Sequence, residues 1–404
     1  MHETAKTSWA GPLQGIRVLD FTRVLAGPAA SLALADLGAD VLKVEPPEPG
    51  DETRLFPPLR DDVSSYFLSV NRGKRSIVVD LKTEAGVALV RDLAAGCDVL
   101  IENYRPGVMD RLGLGYEALS TSNPRLIYCS ISGFGMTGPL RDRPSFDIVL
   151  QALSGALSVN GEVGRVPTKL GIPLGDLIGG INGPIGILGA LYERSVTGRG
   201  RLIDVSLLDG MIGMLGYHAQ AAFFSGRDPQ PQGSEHSILV PYGSFPATDG
   251  SIIIACLTNS FWKHLCQSLG KPDWIVDARF ETIEQRRANR HLLNELISGF
   301  TAQQTIDELV ALFTQHEVPH APILGVQAAL AQPQAVAREM VVQAEHAVLG
   351  TIPIVSRAIK FPDDPQPVPT APPVLGQHTD EILRDVLGLS IERIAELRAS
   401  KVVA

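Results

Sequence analysis

Short apolar, β-branched runs, GIRVLDFT, DVLKVEPP, RSIVVDL, DVLIENY and PRLIYCSISGFG, recur along the first 135 residues. Their length and composition are those of strands. Between them lie AASLALADLGA and TEAGVALVRDLAAG, whose apolar positions repeat at helical spacing, the first with Gly38 placed as a stop. Strands alternating with helices predict an α/β fold with a parallel sheet covered on both faces. In such a sheet ligands gather at the carboxyl ends of the strands.

Beyond residue 225 the pattern changes. GRDPQPQGSEHS is a polar break, and PYGSFPATDGSIIIAC reads as a hairpin turning at Asp249-Gly250. Helical stretches follow in TIEQRRANRHLLNELISGFTAQ and TIDELVALFTQH. The expected organisation is a large domain over residues 1–215, a smaller α+β domain over 225–330, and a C-terminal part, 340–404, returning to the large domain. That last part holds six prolines between Pro362 and Pro373, a stiff extended segment, and then one amphipathic helix, HTDEILRDVLGLSIERIAELRAS.

Composition narrows the function. The 404 residues include 39 glycines and 29 prolines, about one residue in six against a usual one in eight or so. Turns and close backbone contacts are expected. A net charge of −9 gives no global field for nucleic acid or an anionic membrane, so an anionic ligand needs a local basic site. Four scattered cysteines, Cys97, Cys129, Cys256 and Cys266, have no metal or redox spacing and point to a reducing, cytoplasmic setting. The N-terminus lacks a signal core. The apolar stretch from Leu177 to Tyr192, interrupted by Asn182 and Pro184, is expected to fall short of the roughly 20 residues a bilayer requires.

After the first strand the sequence DFTRVLAGPAAS has one glycine where the dinucleotide fingerprint needs three, which disfavours a hydride-transferring dehydrogenase. Neither a phosphate-loop string nor a G-x-S-x-G elbow occurs. Basic residues instead collect in loops after the early strands: Arg23, Arg72, Lys74, Arg75, Arg105, Arg141 and Arg143. They either solvate a surface or bind a phosphate-bearing cofactor. In GIPLGDLIGGINGPIGILGALYER, Asp176 is the sole charge until the closing Glu-Arg. It is either a helix N-cap or an ionised nucleophile, kept charged by helix-end amides, in a pocket opened by Gly171, Gly175, Gly179, Gly180, Gly183, Gly186 and Gly189.

The blocks GPLQGIRVLDFTRVLAGP, GADVLKVEPPEPGDETR, NRGKRSIVVDLK, DVLIENYRPGVMDRLGLGY, SISGFGMTGPLRDRPSFD and GIPLGDL together resemble the family III CoA-transferases, in order over nearly the full chain. The resemblance implies a Rossmann-like large domain and an interlocked homodimer. Asp176 matches the family's nucleophilic aspartate, which forms a mixed anhydride and then an enzyme-CoA thioester, with no metal. CoA contacts carry over to Val24, Leu25, Ala26, Val79, Asp80, Leu81, Lys82, Asn103, Tyr104, Arg105, Arg111, Arg143, Pro144, Ser145 and Phe146. Leu25 and Pro46 depart from the formyl-CoA:oxalate enzyme, and SEHSILVPYGSF is most similar to succinyl-CoA-dependent dicarboxylate enzymes. For the distal carboxylate of such an acceptor, Arg54, Arg141 and His236 are candidates. The alternatives are an α-methylacyl-CoA racemase, whose proton-transferring histidine is here Phe146, and a non-catalytic acyl-CoA binding protein.

Overall fold

The computed structural model describes residues 11–362 and 369–404, so much of the predicted proline-rich spacer lies outside the described residues. The chain divides into two units. One comprises Met1–Ala156, Lys169–Phe224 and Pro333–Ala404, the other Leu157–Thr168 and Ser225–Gln332.

In the first unit β1 (Arg17–Asp20), β2 (Asp40–Glu45), β3 (Lys74–Val78), β4 (Val99–Glu102), β5 (Ile127–Ser132) and β6 (Leu202–Ser206) form one parallel sheet. The order is β3-β2-β1-β4-β5-β6, that of a doubly wound sheet. Five of these strands are the apolar runs of the sequence. The sixth, LIDVS, was missed because Asp204 interrupts its short apolar run. Leu19 in β1 lies opposite Leu42 in β2 and Leu100 in β4. These three join a core on one face with Leu89 and Leu93, whereas Val18, Val41 and Ile101 pack on the other face with Ala30 and Leu34. Burial on both faces explains why the strands read as continuous apolar runs.

The helices that matter for the site are α1 (Ala26–Asp36), α2 (Glu84–Ala95), α3 (Asp147–Leu153), α4 (Leu174–Thr197) and α5 (Leu207–Gly213). Helix α4 is 24 residues, roughly 36 Å, and is long and apolar enough by length and composition to cross a membrane, which the sequence reading did not expect. In the fold one face of it lies against α1. A Cβ on Gly180 would sit 2.8 Å from Ala29 Cβ, on Gly183 3.2 Å from Ala30 Cβ, and on Gly186 3.0 Å from Ile203. These glycines are consumed by helix and sheet packing. Among the seven proposed to open a pocket, they correct that expectation.

Beneath the loops after β1 and β2 lies a buried ionic network. Lys43 Nζ donates to Asp51 at 3.0 Å and to the Thr22 carbonyl at 2.8 Å, and Lys74 Nζ stands 3.2 Å from Asp20. Glu45 takes both Nε and Nη2 of Arg54, at 2.8 and 2.7 Å, and a hydrogen bond from Ser76 Oγ. Burial raises the carboxyl pKa of Asp20, but Lys74 and Lys43 outweigh it and hold the group below its ordinary range. Arg72 pairs with Asp36, and Arg75 with Asp40 and Glu381. Of the cations expected in loops, Lys74 and Arg75 lie in β3, and they and Arg72 hold the fold together rather than wait for a ligand.

The predicted C-terminal helix is two helices, Thr379–Leu387 and Ile391–Ala399, because Gly388 at φ 66° ends the first in a left-handed cap. Ile382, Leu383 and Leu397 enter the same core as β1 and β3. In the second unit, Tyr242–Ala247 and Gly250–Ala255 form the expected hairpin, with Thr248 and Asp249 rather than Asp249-Gly250 in the loop. His320–Pro322 adds a third antiparallel strand, and helices pack Trp262, Leu293, Ile297 and Phe313 beneath.

Candidate active site

A cavity of about 330 Å³ opens at the carboxyl ends of β1, β4 and β5. The loop after β1 forms one wall through Arg23, Val24 and Leu25, and Ala26 begins α1. Val24 has φ 66°, a left-handed conformation rare for a β-branched residue and typical of strain held at functional sites. Its amide points to Asp51 Oδ1 at 3.4 Å, so the buried network sets this turn. Arg23 and Asn103 clasp each other: the Arg23 amide donates to Asn103 Oδ1, and Asn103 Nδ2 donates to the Arg23 carbonyl, both at 2.8 Å. The Arg23 guanidinium lies 4.6 Å over the Tyr104 ring and 3.3 Å from Glu52. The first turn of α1 has no side-chain cap, and Pro28 removes a third amide, leaving an N-terminus suited to an anionic oxygen.

Arg105, Arg141 and Arg143, all exposed, line the same cavity with Pro144, Ser145 and Phe146. Asp176 completes it from the first turn of α4. Asp176 is not the N-cap. Pro173 occupies that place without a side-chain bond, and Asp176 is the third helical residue. Among the described residues no hydrogen bond or ion pair engages its carboxylate. Burial first, and the neighbouring Asp147 carboxylate second, push its pKa up to about 6, against the expectation that helix-end amides would dominate.

The structure thus brings Val24, Leu25, Ala26, Asn103, Tyr104, Arg105, Arg141, Arg143, Pro144, Ser145, Phe146 and Asp176 to one cavity. It places others elsewhere. The side chain of Val79 is in the core, its backbone bridged to Val403, and the Asp80 amide donates to Val402, so Val79, Asp80, Leu81 and Lys82 do not line this cavity. Nor does Arg111. Arg54 lines a separate cavity of about 270 Å³ with Phe67 and His346, its guanidinium taken up by Glu45 and by the Pro373 carbonyl. His236 belongs to the second unit, where its Nδ1 accepts the amides of Ile238 and Leu239.

Sequence reading missed Glu52, Ser132 and Gly133, which also line the cavity. Ser132 Oγ is buried and has no partner among the described residues. Tyr66 was also missed: burial chiefly, then the charge of Asp176, raises its phenol. A hydroxyl at a strand end carries no distinctive spacing, so no sequence signal separated these residues from ordinary loop positions. Among the described residues no group of three or more His, Cys, Asp or Glu side chains is placed to hold a metal ion.

Asp176 and the arginines Arg23, Arg105, Arg141 and Arg143 thus share one cavity at the strand ends of a doubly wound sheet. The model of CoA-transferase family III matches residues 13–379. The chain is 37% identical to human succinyl-CoA:glutarate CoA-transferase, covering 97% of this chain and 90% of that protein. It is 40% identical to the acetyl-CoA:oxalate CoA-transferase of Acetobacter aceti, covering 92% and 95% respectively. The crystal structure of a CAIB/BAIF family protein from Brucella suis superimposes with a TM-score of 0.85 at 39% identity, covering 94% of this chain and 100% of that one. The chain belongs to the family III CoA-transferases and is an enzyme that transfers CoA.

The raised pKa has a stability consequence. A carboxyl raised in the folded state costs nothing while protonated, below about pH 4, and costs most above pH 6. Asp176→Asn is expected to stabilise the fold by roughly 1–2 kcal/mol at pH 7.5, after allowance for partial solvent screening. Urea unfolding at pH 7.5 and pH 4 checks this, with the gain vanishing at the lower pH.

Proposed function

We propose that the enzyme moves CoA from succinyl-CoA to a dicarboxylic acid of the glutarate type, with Asp176 as covalent nucleophile. The observation that carries this reading is a carboxylate with no ion-pair partner among the described residues, in the same cavity as Arg23, Arg105, Arg141 and Arg143. The arginines suit the phosphates of CoA, and the strand-end loops Val24–Ala26, Asn103–Arg105 and Arg143–Phe146 suit its pantetheine arm.

In the first half-reaction an Asp176 oxygen attacks the succinyl thioester carbonyl, the C–S bond breaks, and CoA thiolate leaves. The thiolate then attacks the aspartyl carbonyl, releasing succinate and leaving CoA on Asp176 as a thioester. The acceptor carboxylate attacks that thioester, expels CoA thiolate and forms a second anhydride. CoA attacks its acyl carbon and frees Asp176. Each step exchanges one activated acyl group for another, which is what covalent catalysis gains over direct exchange. Partial desolvation leaves the carboxylate weakly hydrated and reactive, while a pKa near 6 keeps it ionised at neutral pH.

Names of relatives support the acceptor class: glutarate for the human and Agrobacterium enzymes, and mesaconate for a Haloarcula one. Of the cations considered for a distal carboxylate, Arg141 lines the cavity that holds Asp176, whereas Arg54 is committed to Glu45. Phe146 in the cavity, with no exchangeable proton, disfavours the racemase alternative. With succinyl-CoA as donor, glutarate is expected to yield glutaryl-CoA and succinate faster than oxalate yields oxalyl-CoA, and Asp176→Ala is expected to lower turnover at least ~10⁴-fold. Retained turnover in that variant would exclude the mechanism.

The active form in this reading is an interlocked cytoplasmic homodimer. The outer face of α4 supports self-association: Ile181, Ile185, Leu188, Tyr192 and Val196, at helical spacing, are exposed on the single chain, Tyr192 by 78%. The chain also leaves the first unit at Ser225 and rejoins it at Pro333. The four free, buried cysteines fit a reducing compartment. Sedimentation equilibrium is expected to give twice the 43.3 kDa chain mass, and Ile185→Asp with Tyr192→Asp to give monomer. A monomeric wild type would contradict the dimer.

A further inference from the structure

Helix α4 begins without the help its own sequence would normally supply. Pro173, at the N-cap, has no side-chain acceptor, and the amides of the first turn need partners from elsewhere. Leu174 donates to the Ile172 carbonyl at 2.8 Å. Gly175 donates to Asp147 Oδ1 at 2.7 Å, a residue 28 positions earlier on α3. A Cβ on Gly175 would stand 2.8 Å from that same oxygen, so a glycine is what lets the carboxylate approach. The second oxygen, Oδ2, accepts from Gln151 Nε2 at 2.6 Å, one turn along α3. Gln151 is completely buried, and its Oε1 accepts the amide of Leu170 at 2.9 Å, on the segment leading into α4.

We propose that Asp147 is the positioning residue for Asp176, capping α4 from another element in place of the cap that Pro173 cannot provide. The proposal rests on the nucleophile reading above. Asp147 directly follows Phe146, the last residue of the arginine-bearing loop that lines the cavity, so one carboxylate couples that loop to the helix carrying the nucleophile. Placement of this kind is worth one to several orders of magnitude in a covalent step, because attack requires near-contact alignment. The same carboxylate also acts on Asp176 as a like charge. Other charged or titratable groups at this site are Arg23, Glu52, Arg105, Arg141 and Arg143 in the cavity, and Tyr66, which responds to both aspartates.

The test compares Asp147→Asn and Asp147→Ala with wild type in succinyl-CoA:glutarate exchange across pH 4.5–8.5, with circular dichroism confirming folding. Asn keeps an oxygen for the Gly175 amide but loses the charge. It is expected to retain at least about a tenth of wild-type kcat at pH 7.5, with the acid limb of the rate profile moved to lower pH. Ala loses the cap and is expected to drop kcat by roughly 10–100-fold, with KM for succinyl-CoA changed less than about threefold. Wild-type kcat in Ala, or equal impairment of both variants with an unmoved acid limb, would overturn the proposal. If Ala does not fold, the Asn profile alone decides: an unmoved acid limb overturns it. An Asp176→Ala control separates the two ideas. Exchange surviving there removes the nucleophile reading itself, whereas exchange abolished there but normal in Asp147→Ala removes only the positioning role.

Discussion

Everything at this site depends on how closely α4 approaches α1. Backbones come near enough only where side chains are absent, and Gly180 and Gly183 meet Ala29 and Ala30 at distances a methyl group would fill. Six glycines in one helix cost about 5 kcal/mol of helix propensity relative to alanine. That cost is offset by tight packing on α1 and the sheet, and what results is a first turn projecting over the strand ends with a single carboxylate on it. Asp176 is where it is because Gly180 and Gly183, further along the same helix, let it pack against α1.

The second constraint is electrostatic. Lys43, Lys74, Asp20, Asp51 and Glu45 are nearly or wholly removed from water, and such a network is tolerable only when every charge is paired and hydrogen-bonded. It spends its hydrogen bonds on the loops: Lys43 on the Thr22 carbonyl, Asp51 on the amides of Val24 and Thr53. The loop after β1 is thereby held on a rigid base, including the left-handed Val24. An acidic protein can bind an anionic carrier in this way. Its fold pairs the inner cations and leaves Arg105, Arg141 and Arg143 exposed at the rim.

The sheet was legible because a parallel strand buried on both faces leaves a continuous apolar run, and five such runs stand in the sequence. LIDVS was not legible, since one central aspartate, which accepts the Met136 amide, breaks the run. The cap of α4 was invisible for a different reason: Asp147 and Gly175 are 28 residues apart, and local rules credited Asp176 with the role. Charge was only half readable. Arg75 and Arg105 look alike in the sequence, and only the fold shows that one is in a strand facing Asp40 and the other lines a cavity. The resemblance to a family singled out Asp176, while the distribution of partners among arginines required three dimensions.

The central claim is that the Asp176 carboxylate, partly buried in the cavity it shares with the arginines, becomes covalently linked to CoA. The most direct measurement incubates the enzyme with succinyl-CoA alone, quenches with hydroxylamine, and maps the adduct by peptide mass spectrometry. The account predicts a hydroxamate on the peptide containing Asp176, dependent on succinyl-CoA and absent when glutarate is added in excess to discharge the thioester. An unmodified Asp176 peptide from enzyme that turns over normally would contradict it.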